Sequence, residues 1–175
     1  MSANNIQVAG IVNDSITDGP GLRFTLFVQG CPHHCPGCQN PETWVFDGGE
    51  EMTAEEIMEK IKRNPLLSGV TFSGGEPFAQ AEALIPLARL IQQSGLELAV
   101  YTGYTWEELN TRTIPGAMEL LALTDVVVDG PFSLHKRNLS LQFRGSSNQR
   151  ILNVKDSFAS GKPVWDSSGR WGLPE

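Results

Sequence analysis

The segment LRFTLFVQGCPHHCPGCQN, residues 22–40, joins an apolar run to every cysteine in the chain. Its first part, residues 22–28, is rich in β-branched and aromatic side chains, which is typical of a buried strand. The run leads almost directly into Cys31, and Cys35 and Cys38 follow at intervals of four and three residues. Together with the alternating helix and strand patterns that follow it, this segment predicts an α/β protein whose working residues lie at the carboxyl ends of its strands.

Helix and strand patterns alternate after this segment. Residues 54–63 carry apolar side chains on one helical face, and Thr53 with Glu56 predicts a capping box at the start of that helix. A second helix is predicted over residues 78–94, closed by Gly95. Further strands are predicted at residues 69–73, 96–102 and 124–129, a helical stretch at 105–113, and shorter strand-like patterns at 150–154 and 162–166.

Loops rich in Gly, Asp and Pro follow the predicted strands. Strands that are joined by helices lie parallel to one another in a sheet. The carboxyl ends of parallel strands lie at one edge of a sheet. We therefore expect the cysteine loop to lie beside three other segments: SGGEP at 73–77, YTGY at 101–104 and DGP at 129–131. The alternative for any single loop is ordinary turn chemistry, since Gly, Asp and Pro are common between strands and helices. Their coincidence with three thiols favours a ligand site.

Composition and charge exclude several classes of function. The chain has 175 residues, of which 40% are hydrophobic, and this predicts one buried core and a single domain over residues 1–175. The formal net charge is -7, and no basic run suits a nucleic-acid partner. The first residues lack a signal pattern and no apolar run would span a membrane. We expect a cytoplasmic protein with neither a nucleic acid nor a membrane as partner.

The three clustered cysteines are expected to be metal ligands or redox groups, because an odd number argues against a disulfide framework. A [4Fe–4S] cluster normally takes four thiolates, so three would leave one iron open. The alternative is structural zinc bound by three thiolates and a histidine, for which His33, His34 and His135 are candidates. The spacing alone leaves both interpretations open.

The pattern Cys31-x3-Cys35-x2-Cys38, followed by SGGEP, resembles the radical S-adenosylmethionine superfamily. Within it, longer segments are similar to the family of activating proteins of anaerobic ribonucleoside-triphosphate reductase. This similarity covers nearly the whole chain, from about residue 11 to residue 154. The segments are DGPGLRFTLFVQGCPHHCPGCQNPETW (18–44), TFSGGEPF (71–78), VYTGYTWEEL (100–109), DVVVDGPF (125–132) and FRGSSNQRIL (143–152).

The resemblance implies a glycyl-radical-generating enzyme. In this family the three cysteines bind three irons of a [4Fe–4S] cluster, and S-adenosylmethionine chelates the fourth. Reductive cleavage of S-adenosylmethionine yields a 5′-deoxyadenosyl radical, which takes a hydrogen atom from a glycine of the large reductase subunit. The implied partners are that subunit and a low-potential electron donor such as flavodoxin.

The resemblance also implies roles for residues beside the cysteines. Gly74 and Gly75 would offer backbone groups to the methionine ammonium, and Glu76 would add charge or fix the loop. Gly37 and Gln39 flank Cys38, where backbone contacts to the adenine are expected. Many members of the superfamily have an aromatic residue in place of this glycine. Asn40 and Trp44 belong to the same matching stretch, and the indole of Trp44 is interpreted as core packing.

Two aspartates and two arginines complete the candidates. By resemblance, Asp18 meets the glycine loop of the substrate protein. Asp129 ends an otherwise apolar strand and is therefore expected to lie near the cofactor or a bound cation; both are candidate catalytic residues. The alternatives are a solvated turn for Asp18 and a loop cap for Asp129. Arg144 and Arg150 would bind a carboxylate, of the cosubstrate or of the reductase. The alternative for both is a solvated surface turn.

The resemblance implies a partial, open TIM-like barrel of parallel βα units, with length for about six units at most. Such an opening would admit a glycine on another polypeptide. Two alternative functions remain at this point. One is activation of a different glycyl-radical enzyme, such as pyruvate formate-lyase. The other is a non-enzymatic zinc or electron-transfer module, which would leave SGGEP and the other loops unexplained.

Overall fold

The structure, a computed structural model, describes residues 5–38 and 40–172. Within them the chain forms one mixed sheet flanked by helices. The strands are Ile6–Ser15 (β1), Arg23–Val28 (β2), Glu50–Met52 (β3), Gly69–Gly74 (β4), Glu97–Tyr101 (β5), Val126–Asp129 (β6) and Arg150–Asn153 (β7). The α-helices are Ala54–Lys62 (α1), Ala81–Ser94 (α2), Trp106–Leu109 (α3), Ala117–Ala122 (α4) and Val154–Ser160 (α5).

The strand order in the sheet is β3-β1-β2-β4-β5-β6-β7. The four strands β2, β4, β5 and β6 are parallel, so the predicted parallel βα units are confirmed at the centre of the sheet. The outer strands β1, β3 and β7 pair antiparallel to their neighbours. The sheet has two free edges and is not closed, which is the open, barrel-like α/β architecture expected from the resemblance.

Sequence patterns located the central strands and the two longest helices and missed other elements. The ten-residue strand β1, the short strand β3 and helix α5 were not predicted, and the strand expected to be first is therefore the second. The predicted strand at residues 162–166 is reduced to a single bridge between Trp165 and Leu152. No helix among residues 5–38 and 40–172 has the length and apolar character needed to cross a membrane.

Helix ends follow the expected chemistry with one difference. The hydroxyl of Thr53 accepts a hydrogen bond from the backbone N–H of Glu56 at 3.1 Å and so caps α1. A reciprocal capping box forms instead at α3, between Thr105 and Glu108. Helix α2 ends at Gly95, whose φ of 81° fits the left-handed position that glycine adopts without strain.

Alternate residues of the central strands face opposite sides of the sheet. On the outer side, apolar residues pack against α1, α2 and α4; examples are Leu26 in β2 and Phe72 in β4, both with no exposed surface. On the inner side, Phe27 and Ser73 line a cavity. The sheet therefore separates an apolar core from a space available to a ligand.

The inner side is filled at the amino ends of the strands by a buried arginine. Arg23 has no exposed surface and donates from Nε to the Thr71 hydroxyl at 2.8 Å and from Nη1 to Glu97 Oε1 at 2.9 Å. Its guanidinium carbon lies 5.3 Å from the ring centroid of the buried Trp171. This end of the inner side is closed, and the cavity therefore opens elsewhere.

Candidate functional site

A cavity of about 690 Å³ lies on the inner side of the sheet and brings together residues that are far apart in the sequence. All three cysteines line it, together with segments from the other strand-end loops. The other candidates that line it are Asp18, His33, Asn40, Trp44, Gly74, Gly75 and Arg144.

The cysteine loop follows β2, with Cys31 buried and Cys35 and Cys38 partly exposed. Burial raises the pKa of the Cys31 thiol, and backbone hydrogen bonds from His33 and His34 partly offset this rise. Burial likewise raises the pKa of Cys35, against a backbone hydrogen bond from the β6–β7 connection. Burial therefore disfavours the thiolate form of Cys31 and Cys35, and the backbone hydrogen bonds favour it. A bound cation would favour the thiolate form further.

The third thiol also has a backbone donor, since the N–H of Asn40 donates a hydrogen bond to the sulfur of Cys38 at 3.4 Å. Three thiols that share one cavity, each beside a backbone donor or in a partly open position, form a donor set that suits an iron–sulfur cluster. In the described part of the chain, no three His, Cys, Asp or Glu side chains gather tightly around a point suited to a single metal ion.

The carboxylate of Glu76 holds the strand-end loops together. It has no exposed surface and accepts four hydrogen bonds. Its Oε1 faces His33 Nε2 at 2.6 Å and the Gly103 N–H at 2.7 Å. Its Oε2 accepts from the Thr102 hydroxyl at 2.8 Å and the Phe78 N–H at 3.0 Å. One buried side chain therefore connects the loops after β2, β4 and β5.

The two glycines before Glu76 allow these loops to approach closely. Gly74 has a φ of 94°, and a Cβ there would lie 2.6 Å from the backbone nitrogen of Val28. A Cβ at Gly75 would collide with the carbonyl oxygen of Gly30. Without a Cβ at these positions the backbones come close enough for the Gly75 N–H to donate to the Val28 carbonyl at 2.8 Å. Both glycines line the cavity.

Arg144 forms part of the cavity wall within the β6–β7 connection. Its Nη1 donates to the carbonyls of Ser147 and Gln149 at 3.1 and 2.9 Å, and its guanidinium carbon lies 5.1 Å from the Trp165 ring centroid. Among residues 5–38 and 40–172, Nη1 has hydrogen-bond acceptors, whereas Nε and Nη2 have none. The side chain is thus held in place with donors to spare.

Asp129 and Arg150 bind each other and do not line the cavity. They face each other across β6 and β7, and Arg150 donates from Nε to Asp129 Oδ1 at 3.0 Å and from Nη2 to Oδ2. Oδ2 also accepts from the Trp106 N–H at 2.7 Å, and Arg150 reaches Glu107 at 2.7 Å. These contacts raise the pKa of the Arg150 guanidinium, and the hydrogen bond that it donates to Asp129 is the largest cause.

Asp18 lies at the cavity wall formed by the β1–β2 connection. Its Oδ2 accepts hydrogen bonds from the hydroxyls of Ser15 and Thr25, at 2.5 and 3.1 Å. Its backbone carbonyl accepts from the Thr71 hydroxyl at 2.8 Å. The aspartate is therefore fixed by the inner faces of β2 and β4 with its carboxylate at the cavity.

The remaining candidates surround Cys38. Gly37 is exposed with a φ of 78° and lies outside the cavity lining, while Asn40 and Trp44 line it. The Trp44 ring stacks on the exposed His34 at a centroid distance of 4.6 Å. Gln39 lies outside the described residues.

Sequence reasoning missed the part that His33 plays. His33 was considered only as a zinc ligand, whereas its ring contacts Glu76 and packs edge-on against Tyr104 at 4.5 Å. A histidine between two thiols in sequence was a usable signal, but its partner lies 43 residues away.

Comparisons with known proteins identify the family of the chain. A family model described as a 4Fe-4S single cluster domain matches residues 17–152. The chain is 36% identical over 153 residues to the anaerobic ribonucleoside-triphosphate reductase-activating protein of Escherichia coli K12, covering 80% of this chain and 94% of that protein. It is 38% identical over 128 residues to the pyruvate formate-lyase-activating enzyme of Clostridium pasteurianum, covering 70% of this chain and 50% of that enzyme.

The fold has a solved counterpart. The crystal structure of QueE from Escherichia coli superposes with a TM-score of 0.51 at 17% identity, covering 71% of this chain and 70% of that chain. At that identity the likeness concerns the fold alone. The family match and the reductase-activating relatives carry the assignment: the chain belongs to the anaerobic ribonucleoside-triphosphate reductase-activating protein family and is a radical S-adenosylmethionine activating enzyme.

Proposed function

We propose that this protein generates a glycyl radical on the large subunit of an anaerobic ribonucleoside-triphosphate reductase. The observation that carries the proposal is that Cys31, Cys35 and Cys38 line one cavity together with the backbone of Gly74 and Gly75. Relatives that share 36% of their residues over most of the chain and activate such a reductase support the choice of partner.

The three cysteines would hold a [4Fe–4S] cluster, and the open cavity beside them would receive S-adenosylmethionine. When bound, this pair would supply a one-electron reductive cleavage whose product, a 5′-deoxyadenosyl radical, takes hydrogen from a glycine of the reductase. The chain itself would bind the cluster and S-adenosylmethionine, orient them, and exclude water from the site.

The chain offers distinct groups for each part of S-adenosylmethionine. Backbone groups of Gly74 and Gly75 would meet the methionine ammonium, because both glycines line the cavity together with the three cysteines. The spare guanidinium nitrogens of Arg144 would donate to its carboxylate. Backbone contacts of Gly37 and Gln39 with the adenine stay predictions, because Gly37 lies outside the cavity lining and Gln39 outside the described residues. Glu76 would act as a positioning residue, since it is buried beneath the loops that line the cavity.

The two aspartates would serve in different ways. Asp18 is at the cavity wall, and we propose that it contacts the polypeptide that presents the glycine. Asp129 is bound by Arg150 and the Trp106 N–H, so we propose that it positions the loop after β6. Loop positioning replaces direct contact with a cofactor as its expected role, since both of its oxygens are already hydrogen-bonded.

The open sheet supports a macromolecular substrate. A glycine on another chain must reach the cavity, and the gap between β3 and β7 leaves the barrel-like sheet unclosed on one side. The electron required for each cleavage would come from a low-potential donor such as flavodoxin.

A second candidate is activation of pyruvate formate-lyase, which the 38% identity to a lyase-activating enzyme favours. The match covers only half of that enzyme, whereas the reductase-activating relative is covered over 94% of its length. We therefore place the reductase first.

The test begins with anaerobic reconstitution with iron and sulfide, followed by reduction. The electron spin resonance spectrum is then recorded before and after addition of S-adenosylmethionine. A reduced [4Fe–4S] signal that shifts on addition is expected, and Cys38→Ser should lose it. Stoichiometric zinc with no response to S-adenosylmethionine would refute the proposal. Glycyl-radical formation on purified reductase and lyase then identifies the partner.

A further inference from the structure

The connection between β6 and β7 carries an exposed tip at residues 134–140, which we call the basic tip. All seven of its residues are exposed, and none of them lines the cavity. Leu134 and Leu139 are exposed to 48% and 82%. Lys136 and Arg137 lie between them. Two exposed leucines flanking adjacent cations form an apolar and positively charged surface.

The charge of this region is opposite to that of the chain as a whole. The net charge is -7, yet no acidic residue occurs between Asp129 and Asp156, where five of the 13 basic residues lie. Residues 24–59, in contrast, contain seven acidic and no basic residues. In the described part of the chain, Lys136 and Arg137 take part in none of the ion pairs. Their charges are thus available to a partner.

Backbone hydrogen bonds hold the basic tip in one conformation. The Lys136 N–H donates to the Ser133 carbonyl at 3.0 Å, and the Lys136 carbonyl accepts from the Ser147 N–H at 2.9 Å. Arg137 forms an antiparallel bridge with Ser146. A surface that is ordered before binding loses less entropy when a partner docks.

The basic tip also lies against the cysteine loop. A Cβ on Gly37 would be 2.9 Å from Leu134 Cδ1 and 3.3 Å from the Phe132 ring. The backbone of Phe132 hydrogen-bonds the thiol of Cys35. A protein bound to the basic tip would therefore contact the segment that carries two of the three thiols.

We propose that the basic tip is the docking surface for the electron donor, a small acidic one-electron carrier protein. The inference rests on the proposed function, because that function consumes one electron for each radical formed. In the transfer the carrier is oxidised by one electron and the activating protein is reduced by one. Opposite charge speeds and orients such encounters, and the two leucines supply the apolar contact.

The location separates this partner from the glycyl-radical enzyme. A glycine that loses hydrogen must enter the cavity, whereas an electron needs only a donor close to the cysteine loop. Since residues 134–140 lie outside the cavity lining, they suit the carrier and leave the cavity to the protein substrate.

The test uses the reconstituted protein, an acidic flavodoxin and the variant K136E/R137E. The matched control is K62E/R63E, an adjacent exposed pair at the end of α1. Isothermal titration at low salt should give a flavodoxin dissociation constant about tenfold higher for K136E/R137E than for wild type, and unchanged for the control. The difference should shrink as salt is added.

Activation assays then distinguish a defect in docking of the electron donor from a defect in radical formation. With reduced flavodoxin as donor, K136E/R137E should activate the reductase more slowly; with dithionite in its place, the variant should match wild type. Equal flavodoxin affinity in variant and wild type would overturn the proposal. A defect that persists with dithionite would also overturn it, because the basic tip would then serve the reductase. Failure of wild type with dithionite would refute the proposed function itself, while the titration still judges the surface.

Discussion

His33 Nε2 and Glu76 Oε1 lie 2.6 Å apart and connect the cysteine loop to the end of β4. The same carboxylate binds the loop after β5 through Thr102 and Gly103. One buried acid therefore joins the cysteine loop to the loops after β4 and β5. A cofactor site assembled from loops needs such a common support, because each loop alone is free to move.

The first prediction concerns this support. Glu76→Ala leaves buried donors from two backbone amides and a hydroxyl without a partner, so we expect a loss of about 3 kcal/mol in the free energy of unfolding. His33→Ala removes one partner and should cost about 1 kcal/mol. Urea unfolding of the protein without cofactor measures both.

The control is His34→Ala, at an exposed histidine that contacts Trp44 and not Glu76. Its free energy of unfolding should change less than that of His33→Ala. Equal losses for the two histidine variants would show that the contact with Glu76 contributes nothing specific. After reconstitution, only the His33 variant should lose iron faster than wild type.

The pair of Asp129 and Arg150 is predicted to stabilise the fold. Arg150→Ala would leave a carboxylate with a side chain only 1% exposed and one remaining donor, at a cost of about 3 kcal/mol. Glu107→Gln weakens the other contact of Arg150, in which the acid is 59% exposed, and should cost under about 0.5 kcal/mol. Thermal or urea unfolding would contradict this prediction if the two variants were equally destabilised.

Arg144 is predicted to act on ligand binding. Arg144→Ala removes the spare guanidinium donors from the cavity wall, so the dissociation constant for S-adenosylmethionine should rise about tenfold or more. Equilibrium binding to the reconstituted protein measures this. Arg89→Ala, at an exposed position on α2, is the matched control and should bind normally. Normal binding by Arg144→Ala would remove this residue from the site.

Acid destabilisation is predicted to involve Glu97, which lies 2.9 Å from both Arg23 and Arg170. Burial would raise the pKa of Glu97, but hydrogen bonds and attraction from the two arginines outweigh it, so the pKa falls below the ordinary 4.5. The stability from this carboxylate is therefore complete above about pH 4.5 and is lost as the pH falls through the lowered pKa.

The free energy of unfolding, measured between pH 3 and pH 7, tests whether stability falls with pH in this way. Glu97→Gln should be less stable than wild type at pH 7 by about 2 kcal/mol, and the difference should shrink toward pH 3. Glu59→Gln, at an exposed site on α1, should follow the wild-type pH profile. A constant difference between Glu97→Gln and wild type across this range would contradict the assignment.

Local patterns predicted the parallel centre of the sheet well. Strands β2, β4, β5 and β6 are short and strongly apolar, because they are covered on their outer side by helices. Strand β1 was missed for the opposite reason. Its burial is confined largely to Ile6, Val8 and Ser15, and its exposed residues include Asn13 and Asp14, so it lacks a regular two-residue pattern.

Contacts between side chains of the site were harder to predict than which residues belong to the site. The sequence motifs identified several of the residues that line the cavity, including the thiols, Gly74 and Gly75. They did not reveal that Asp129 binds Arg150, because that contact depends on the antiparallel register of β6 and β7. The contact of His33 with Glu76 was hidden for a similar reason, since it forms only after three separate loops have met.

The two faces of the central strands bear on how this scaffold can diversify. Neighbouring residues such as Phe72 and Ser73 are one peptide apart, yet the first belongs to the helix-packed core and the second to the cavity. Substitutions accumulated on the cavity face can therefore alter which molecule is accommodated while the packing that maintains the fold is inherited unchanged. Descendants of such a sheet can acquire new substrates without first having to become more stable.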